Sequence, residues 1–303
     1  MMIKETKQMV EHDTVDKILD AARELMDVNL YHEAYSLLKD AAARYPEEPD
    51  IFYLLGCAAL NRRQGDEALY YFSIANDLCP EESDILSGLA DASLMLDRSD
   101  LAFQFITEAL DSEPDNPNAL VSYGHYLERE ESYAEAAAHY RKILAQDPDN
   151  SYLNARLGYC FINMGMFEEA ASEISYYLRE NPTDSDWWFQ LGMCYGSMGM
   201  NEEAFNTFDH LLRSNPDDSL TRAYLALSMA DRGWITEARE EITKALRMDP
   251  DNQRIAEIYD DIMGRDEGGA STGLTDDGLS LYLVLAALKY IRERRKHNHH
   301  DDR

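Results

Sequence analysis

The 303-residue sequence predicts an all-α solenoid, a chain of helix pairs stacked one on the next, and three observations predict it. Seven of the nine prolines, Pro46, Pro80, Pro114, Pro148, Pro182, Pro216 and Pro250, stand 34 residues apart without slippage. Twelve residues before each is an alanine: Ala34, Ala68, Ala102, Ala136, Ala170, Ala204 and Ala238. Twenty-four residues before each is another small residue: Ala22, Gly56, Ala90, Gly124, Gly158, Gly192 or Ala226. A fixed period of this length marks a repeat architecture. Small residues at two fixed points let helix axes approach to the usual ~8–10 Å, and proline separates one hairpin from the next.

Between these columns the pattern is helical. In the fifth unit Leu157, Phe161 and Met164 share one face of a first helix that Gly165 ends. Glu168 and Glu169 open a second helix, whose buried face carries Ala170, Ile174 and Tyr177. Acids complement the positive end of the macrodipole there, and Asp66 with Glu67, Glu202 with Glu203, and Asp217 with Asp218 repeat the placement. The turns DPDN (147–150 and 249–252), SEPDNP and SNPDDS are expected to stop one helix with proline and start the next with an acid.

Composition limits the partners. The chain is 45% apolar, enough for a sizeable core, and carries 28 basic against 58 acidic residues for a formal charge of −30. That charge repels phosphate backbones, so nucleic acid is not an expected partner, whereas basic or amphipathic protein segments are. Solvation and helix capping explain much of the same charge without any partner. The start, MMIKETKQMVEHD, has no apolar core and no small-residue cleavage site, and the four cysteines form no CxxC pair. Both features read as a cytoplasmic protein with reduced thiols.

The sixth unit, with Trp188, Leu191, Gly192, Tyr195, Ala204, Phe208 and Pro216, resembles the tetratricopeptide repeat family. It departs at Leu211, as the fourth and fifth units do at Ile143 and Tyr177, where the family has a second alanine. The resemblance covers residues 15–252 as seven repeats after a lead-in at 1–14, and 253–263 read as a capping helix over the last apolar face. It implies a right-handed superhelix whose first helices line a concave groove for extended or helical segments of other proteins. The groove positions it implies are the second, fifth, ninth, twelfth and thirteenth of each unit. Candidate partner-binding residues there are Tyr53, Leu60, Leu94, Val121, His125, Tyr152, Tyr159, Ile162, Phe189, Met193 and Leu227. Aromatic and methionine side chains suit binding surfaces. The alternative is that Tyr159 and Phe189 pack on one another and hold the shape of the superhelix. No unit has the Lys-Asn pair with which some family members grip chaperone carboxylate tails; the first has Leu19 and Arg23 at those positions.

Catalysis, cofactor and metal are not expected. Carboxylate pairs carry no information among 58 acids. Cys57 and His125 lie two units apart, ~20 Å at ~10 Å per helix layer, beyond the reach of a nucleophile–base pair. Cys160 and Cys194 hold the same tenth position of adjacent units and read as stacked core. The histidines at 297 and 299–300 read as a polar terminal tract rather than a metal site.

Residues 264–278 have five glycines in fifteen and read as a linker. Residues 279–303 then carry an apolar run from Leu279 to Ile291 and a basic, His-rich tail. Thirteen helical residues span ~20 Å, short of the ~30 Å hydrocarbon core. On a helical wheel Leu281, Val284, Leu285, Leu288 and Ile291 share one face, and the other is also largely apolar. At ~2 kcal/mol per fully buried large side chain, such a helix seeks burial. The candidate berths are the groove of its own chain, the groove of a second copy by self-association, or an anionic membrane surface contacted through 279–296. The functional expectation is a protein-binding scaffold, adaptor or chaperone-like protein; the alternative is a membrane-associated assembly factor tethered by this helix.

Ala204 is expected at a helix contact, so Ala204→Leu should overpack the sixth unit and cost ~1–3 kcal/mol. Hydrogen exchange should accelerate in the sixth unit first, because solenoid contacts are nearest-neighbour. Equal acceleration in the first unit would contradict the repeat reading.

Overall fold

Proline, alanine and glycine at fixed intervals leave little choice of secondary structure, and the computed structural model, which describes residues 14–265, is helical from end to end. Fourteen helices come in pairs: α1 Val15–Asp27 with α2 Tyr31–Ala42, α3 Pro49–Asn61 with α4 Gly65–Leu78, and α5 Ser83–Met95 with α6 Ser99–Ser112. They continue as α7 Pro117–Arg129 with α8 Tyr133–Leu144, α9 Ser151–Asn163 with α10 Phe167–Glu180, α11 Ser185–Ser197 with α12 Asn201–Ser214, and α13 Ser219–Asp231 with α14 Ile235–Met248. A single helix, α15 Gln253–Gly264, follows. The chain forms two compact units that divide within α8, between His139 and Tyr140.

Both units follow one packing rule. The predicted alanine column is buried throughout, as Ala34, Ala68, Ala102, Ala136, Ala170, Ala204 and Ala238 are all at most 1% exposed. A further column at the same period runs through the second helices: Leu38, Phe72, Ile106, Tyr140, Ile174, Phe208 and Ile242, none more than 2% exposed. These large side chains fill the space that the small column of the first helices leaves open. In the first unit the Phe72 ring is wedged between two glycines: a Cβ on Gly56 would come within 2.6 Å of it, and one on Gly88 within 2.4 Å. In the second unit a Cβ on Gly158 would meet Ile174 at 2.7 Å, and one on Gly192 would meet Phe208 at 2.8 Å. Successive first helices also touch each other, α1 with α3, α3 with α5 and α5 with α7, and α13 with α15. The last helix buries Ile255, Ile258 and Ile262.

The turns obey the same period. Asn29, Arg63, Asp97, Glu131, Gly165, Gly199 and Gly233 follow the first helices, and all have φ between 58° and 84°. At this position the chain must turn left-handed so that the next amide reaches back to a carbonyl of the last turn, as Gln64 N does to Ala59 O at 2.9 Å. Only the last three repeats use glycine, which takes that conformation without steric cost.

The acidic turns work differently from the sequence expectation. The residue two after each proline is the N-cap, and in four of the seven turns (Asn116, Asp184, Asp218 and Asn252) its side-chain oxygen accepts backbone amides. Asn116 accepts from Ala119 N (2.9 Å), Asp218 from Leu220 N and Thr221 N (3.1 and 3.0 Å), and Asn252 from Arg254 N (3.1 Å). Asparagine serves as well as aspartate because the cap needs an acceptor oxygen, not a charge. Asp217 and Asp218 therefore precede α13 rather than opening it. A second correction concerns the predicted linker: Gly264 ends α15, and Arg265 is anchored by Asp261 (2.6 Å) and Asp231 (2.5 Å).

Gly88→Ala should lower the free energy of unfolding by about 1–3 kcal/mol, because the Phe72 ring has no room to retreat. Gly196→Ala should leave it unchanged or raise it by up to about 1 kcal/mol, since its methyl group would meet nothing within 4 Å and alanine is the better helix former. Denaturant titration followed by circular dichroism compares the two.

Candidate functional site: the first-helix face

Each unit presents its own first-helix face, and the candidate residues divide sharply on it. In the first unit Tyr53, Leu60, Val121 and His125 are partly accessible, whereas Leu94 is only 5% exposed and packs with Ala90, Ala102 and Ile106. In the second unit Tyr152 is exposed (45%) and Tyr159 half-buried, but Ile162, Phe189, Met193 and Leu227 are all buried. Large apolar side chains at these positions fold down against the neighbouring helices instead of standing out. Phe189 shows why: its ring lies 5.6 Å from that of Phe208 and 5.3 Å from that of Tyr224, making an aromatic cluster with the sixth and seventh repeats. Phe189 is thus packed, on Phe208 and Tyr224.

Polar groups of three successive repeats influence one another on the first unit's face. The Tyr53 hydroxyl hydrogen-bonds with the Cys57 sulfur, and burial, reinforced by Cys57, Asp84 and Asp91, pushes the hydroxyl above the ordinary tyrosine range. Burial likewise pushes the Cys57 thiol up to about 12, against the Tyr53 hydrogen bond and with the help of Asp91 and Asp84. Asp91, from the intervening repeat, also pairs with His125 Nδ1 at 3.0 Å. Asp84 accepts from Asn116 Nδ2 (2.9 Å) and Asn118 Nδ2 (3.0 Å), tying the third repeat to the fourth. His125 thus pairs with Asp91, whose charge also acts on Cys57. A thiol held protonated beside carboxylates has the opposite electrostatics to an activated nucleophile.

The second unit's face is aromatic and has a cleft. Arg156 lies 6.0 Å from the Tyr152 ring centre and 5.4 Å from that of Tyr159, bridging the second and ninth positions of the fifth repeat. Sequence reasoning missed Arg156 because its sixth position is outside the pattern that the family resemblance supplied. It also missed Gly196 at the twelfth position of the sixth repeat, where Leu60, Leu94 and Ile162 stand in others. Its exposed backbone opens a small cleft of about 40 Å³, floored by Phe208 and Tyr224 and walled by Met193, Leu227 and Asp231. Burial raises the Asp231 carboxyl above the usual carboxylate range even though Arg265 pulls it down. The docking-helix residues Leu281, Val284, Leu285, Leu288 and Ile291, the basic tail with its histidines, and residues 1–13 lie outside the described residues. Among the described residues, no helix is long and apolar enough to cross a membrane.

Models of the tetratricopeptide repeat match residues 19–83, 127–191 and 186–218, and the chain belongs to that family. No curated protein sequence matches it. Among solved structures it is similar to a chain of the Cut9–Hcn1 hetero-tetramer of APC/C, with TM-score 0.69 and 16% identity over 86% of this chain. It spans about half (51%) of that chain's length. It is also similar to PilF of Pseudomonas aeruginosa (TM-score 0.59, 18% identity, 71% of this chain and 96% of that one). A third is YrrB, described as a tetratricopeptide repeat protein with an unusual peptide-binding site (TM-score 0.54, 22% identity, 62% and 97%). At these identities the likeness establishes the fold.

Burial pushes both the Cys57 and the Cys194 thiol up to about 12, so little thiolate is present at pH 8. Iodoacetamide should therefore label both at least roughly tenfold more slowly in folded than in denatured protein, by mass spectrometry at that pH. Equal rates would show that these thiols are open to solvent.

Proposed function

We propose that the protein is a protein-interaction scaffold that holds a segment of another protein on its first-helix face, with the fifth to seventh repeats as the principal contact. The observation that carries this reading is the Tyr152–Arg156–Tyr159 array, with Tyr152 exposed and Arg156 and Tyr159 partly so, in the same unit as an apolar cleft. Two tyrosines and an arginine are the residue types that dominate binding energy at interfaces, and ring and guanidinium are held in place before any partner arrives. Membership in a family of helical repeats supports the reading, as does the peptide-binding site ascribed to YrrB. The charge of −30 favours a basic or amphipathic segment, for which attraction from a distance speeds encounter.

The decisive variant changes the side chains that solvent reaches. Phe189→Ala is the wrong probe, because removing a packed phenylalanine costs about 3–5 kcal/mol of stability by itself. Tyr152→Ala combined with Tyr159→Ala should instead reduce affinity roughly a hundredfold, at about 1–2 kcal/mol for each aromatic contact, with the helical circular dichroism unchanged. The partner segment is first identified by pull-down and mass spectrometry with the full chain as bait, then titrated by fluorescence anisotropy. Affinity should fall as salt is raised. Unchanged affinity in the double variant would refute this face as the binding surface.

A further inference from the structure

The sixth repeat has a gap where its neighbours have a side chain. Leucine or isoleucine fills the twelfth position in the second, third and fifth repeats (Leu60, Leu94, Ile162), but Gly196 stands there in the sixth. Gly196 is exposed and a Cβ on it would meet nothing within 4 Å, so the gap is real space rather than a site closed by another residue. Around it Met193, Leu227, Phe208 and Tyr224 supply an apolar lining, with Asp231 at the side. The gap is large enough for part of one apolar side chain, which makes it an anchor point rather than a pocket for a free small molecule.

The described chain ends beside this gap. Arg265 donates to Asp231, one of the residues that line the cleft, at 2.5 Å, and to Asp261 at 2.6 Å. Arg239 Nη2 donates to the Arg265 carbonyl oxygen at 2.6 Å, so backbone as well as side chain is held there. Residues 266–278 therefore start at the rim of the cleft, and thirteen residues of that composition have a root-mean-square span of ~20 Å and an extended limit of ~45 Å. Beyond them comes the apolar run Leu279–Ile291, then a stretch in which Arg292, Arg294, Arg295 and Lys296 outnumber Glu293, on a chain of net charge −30.

We propose that residues 279–291 dock on the α11–α13 face of their own chain, with one large apolar side chain seated beside Gly196, and so compete with an outside partner for that face. The inference rests on the reading of this face as a binding surface. Tether length decides between the chain's own segment and that of a second copy. A short tether that begins at the site presents its segment at an effective concentration of order millimolar, far above that of a second protein molecule in dilute solution. The basic stretch adds attraction toward an acidic protein that an uncharged apolar segment would lack.

The test places the photo-reactive residue p-benzoylphenylalanine at Leu285 in the full-length protein, irradiated in dilute solution and mapped by mass spectrometry. The expected product has monomer mass and joins residue 285 to peptides within 185–231, those holding Met193 or Leu227 first. Gly196→Leu fills the gap and favours the helix, so it should reduce this cross-link several-fold while the circular dichroism stays unchanged. Cross-links found only between two chains, only with phosphatidylglycerol vesicles present, only at other repeats, or not at all would each overturn the proposal. So would a yield unaffected by Gly196→Leu. The cross-link needs no outside partner, so its presence together with partner binding that is indifferent to Tyr152 and Tyr159 would count against the proposed function alone.

Discussion

Everything in this fold depends on one contact, repeated every 34 residues: a large side chain of the second helix pressed against a small residue of the first. Phe72 shows its extreme form, filling the space above Gly56 in its own repeat and above Gly88 in the next. A single ring thus joins helices within a repeat and between repeats. Phe208 against Gly192 and Ile174 against Gly158 restate it in the second unit. Since interiors are packed at crystal-like density, neither partner of such a pair can grow without moving a helix. This accounts for a column of only alanine and glycine beside a column of only large apolar residues.

The close approach also determines what the first-helix face offers a partner. Long apolar side chains at the ninth and twelfth positions are drawn into the seams between neighbouring helices. Leu94, Ile162, Met193 and Leu227 meet that fate. Side chains at the second position are more open, Leu220 of the seventh repeat being a buried exception, and Tyr152 is the large exposed aromatic one among them. The same geometry makes a missing side chain informative. At Gly196 the seam is unfilled, and the aromatic floor of the sixth and seventh repeats shows through. Binding surface and core are thus parts of one packing pattern, separated by a few ångströms of side-chain length.

Charge plays two roles. Some acids are structural: Asp218 closes the amide end of α13, Asp84 links two repeats through Asn116 and Asn118, and Asp91 pairs with His125. Asp231 shows the other consequence. Partial desolvation raises its carboxyl above the usual carboxylate range, yet it holds Arg265 and with it the end of the last helix. This ion pair stands where the described helices end.

The sequence alone determined the repeat length, the helix pairs and the helix-contact columns, because periodicity is a property of the chain and small residues have one steric meaning at a helix crossing. Caps were half legible: proline marked the turns, but whether an acid or an amide does the capping depends on which oxygen reaches the free amides, a matter of backbone geometry. The left-handed turn was visible as glycine only at Gly165, Gly199 and Gly233; Arg63 and Glu131 adopt it with no sequence signal. Tertiary structure decided which candidate groove residues face solvent. Phe189 and Tyr152 look alike as aromatics at predicted groove positions, yet one is sealed between Phe208 and Tyr224 while the other is open. Burial is settled by side chains of the same repeat and the next, 19 and 35 residues away along the chain, and no local pattern encodes their direction. For the same reason Arg156 between two tyrosines, the gap at Gly196 and the anchoring of Arg265 beside it came into view only when the helices were in place.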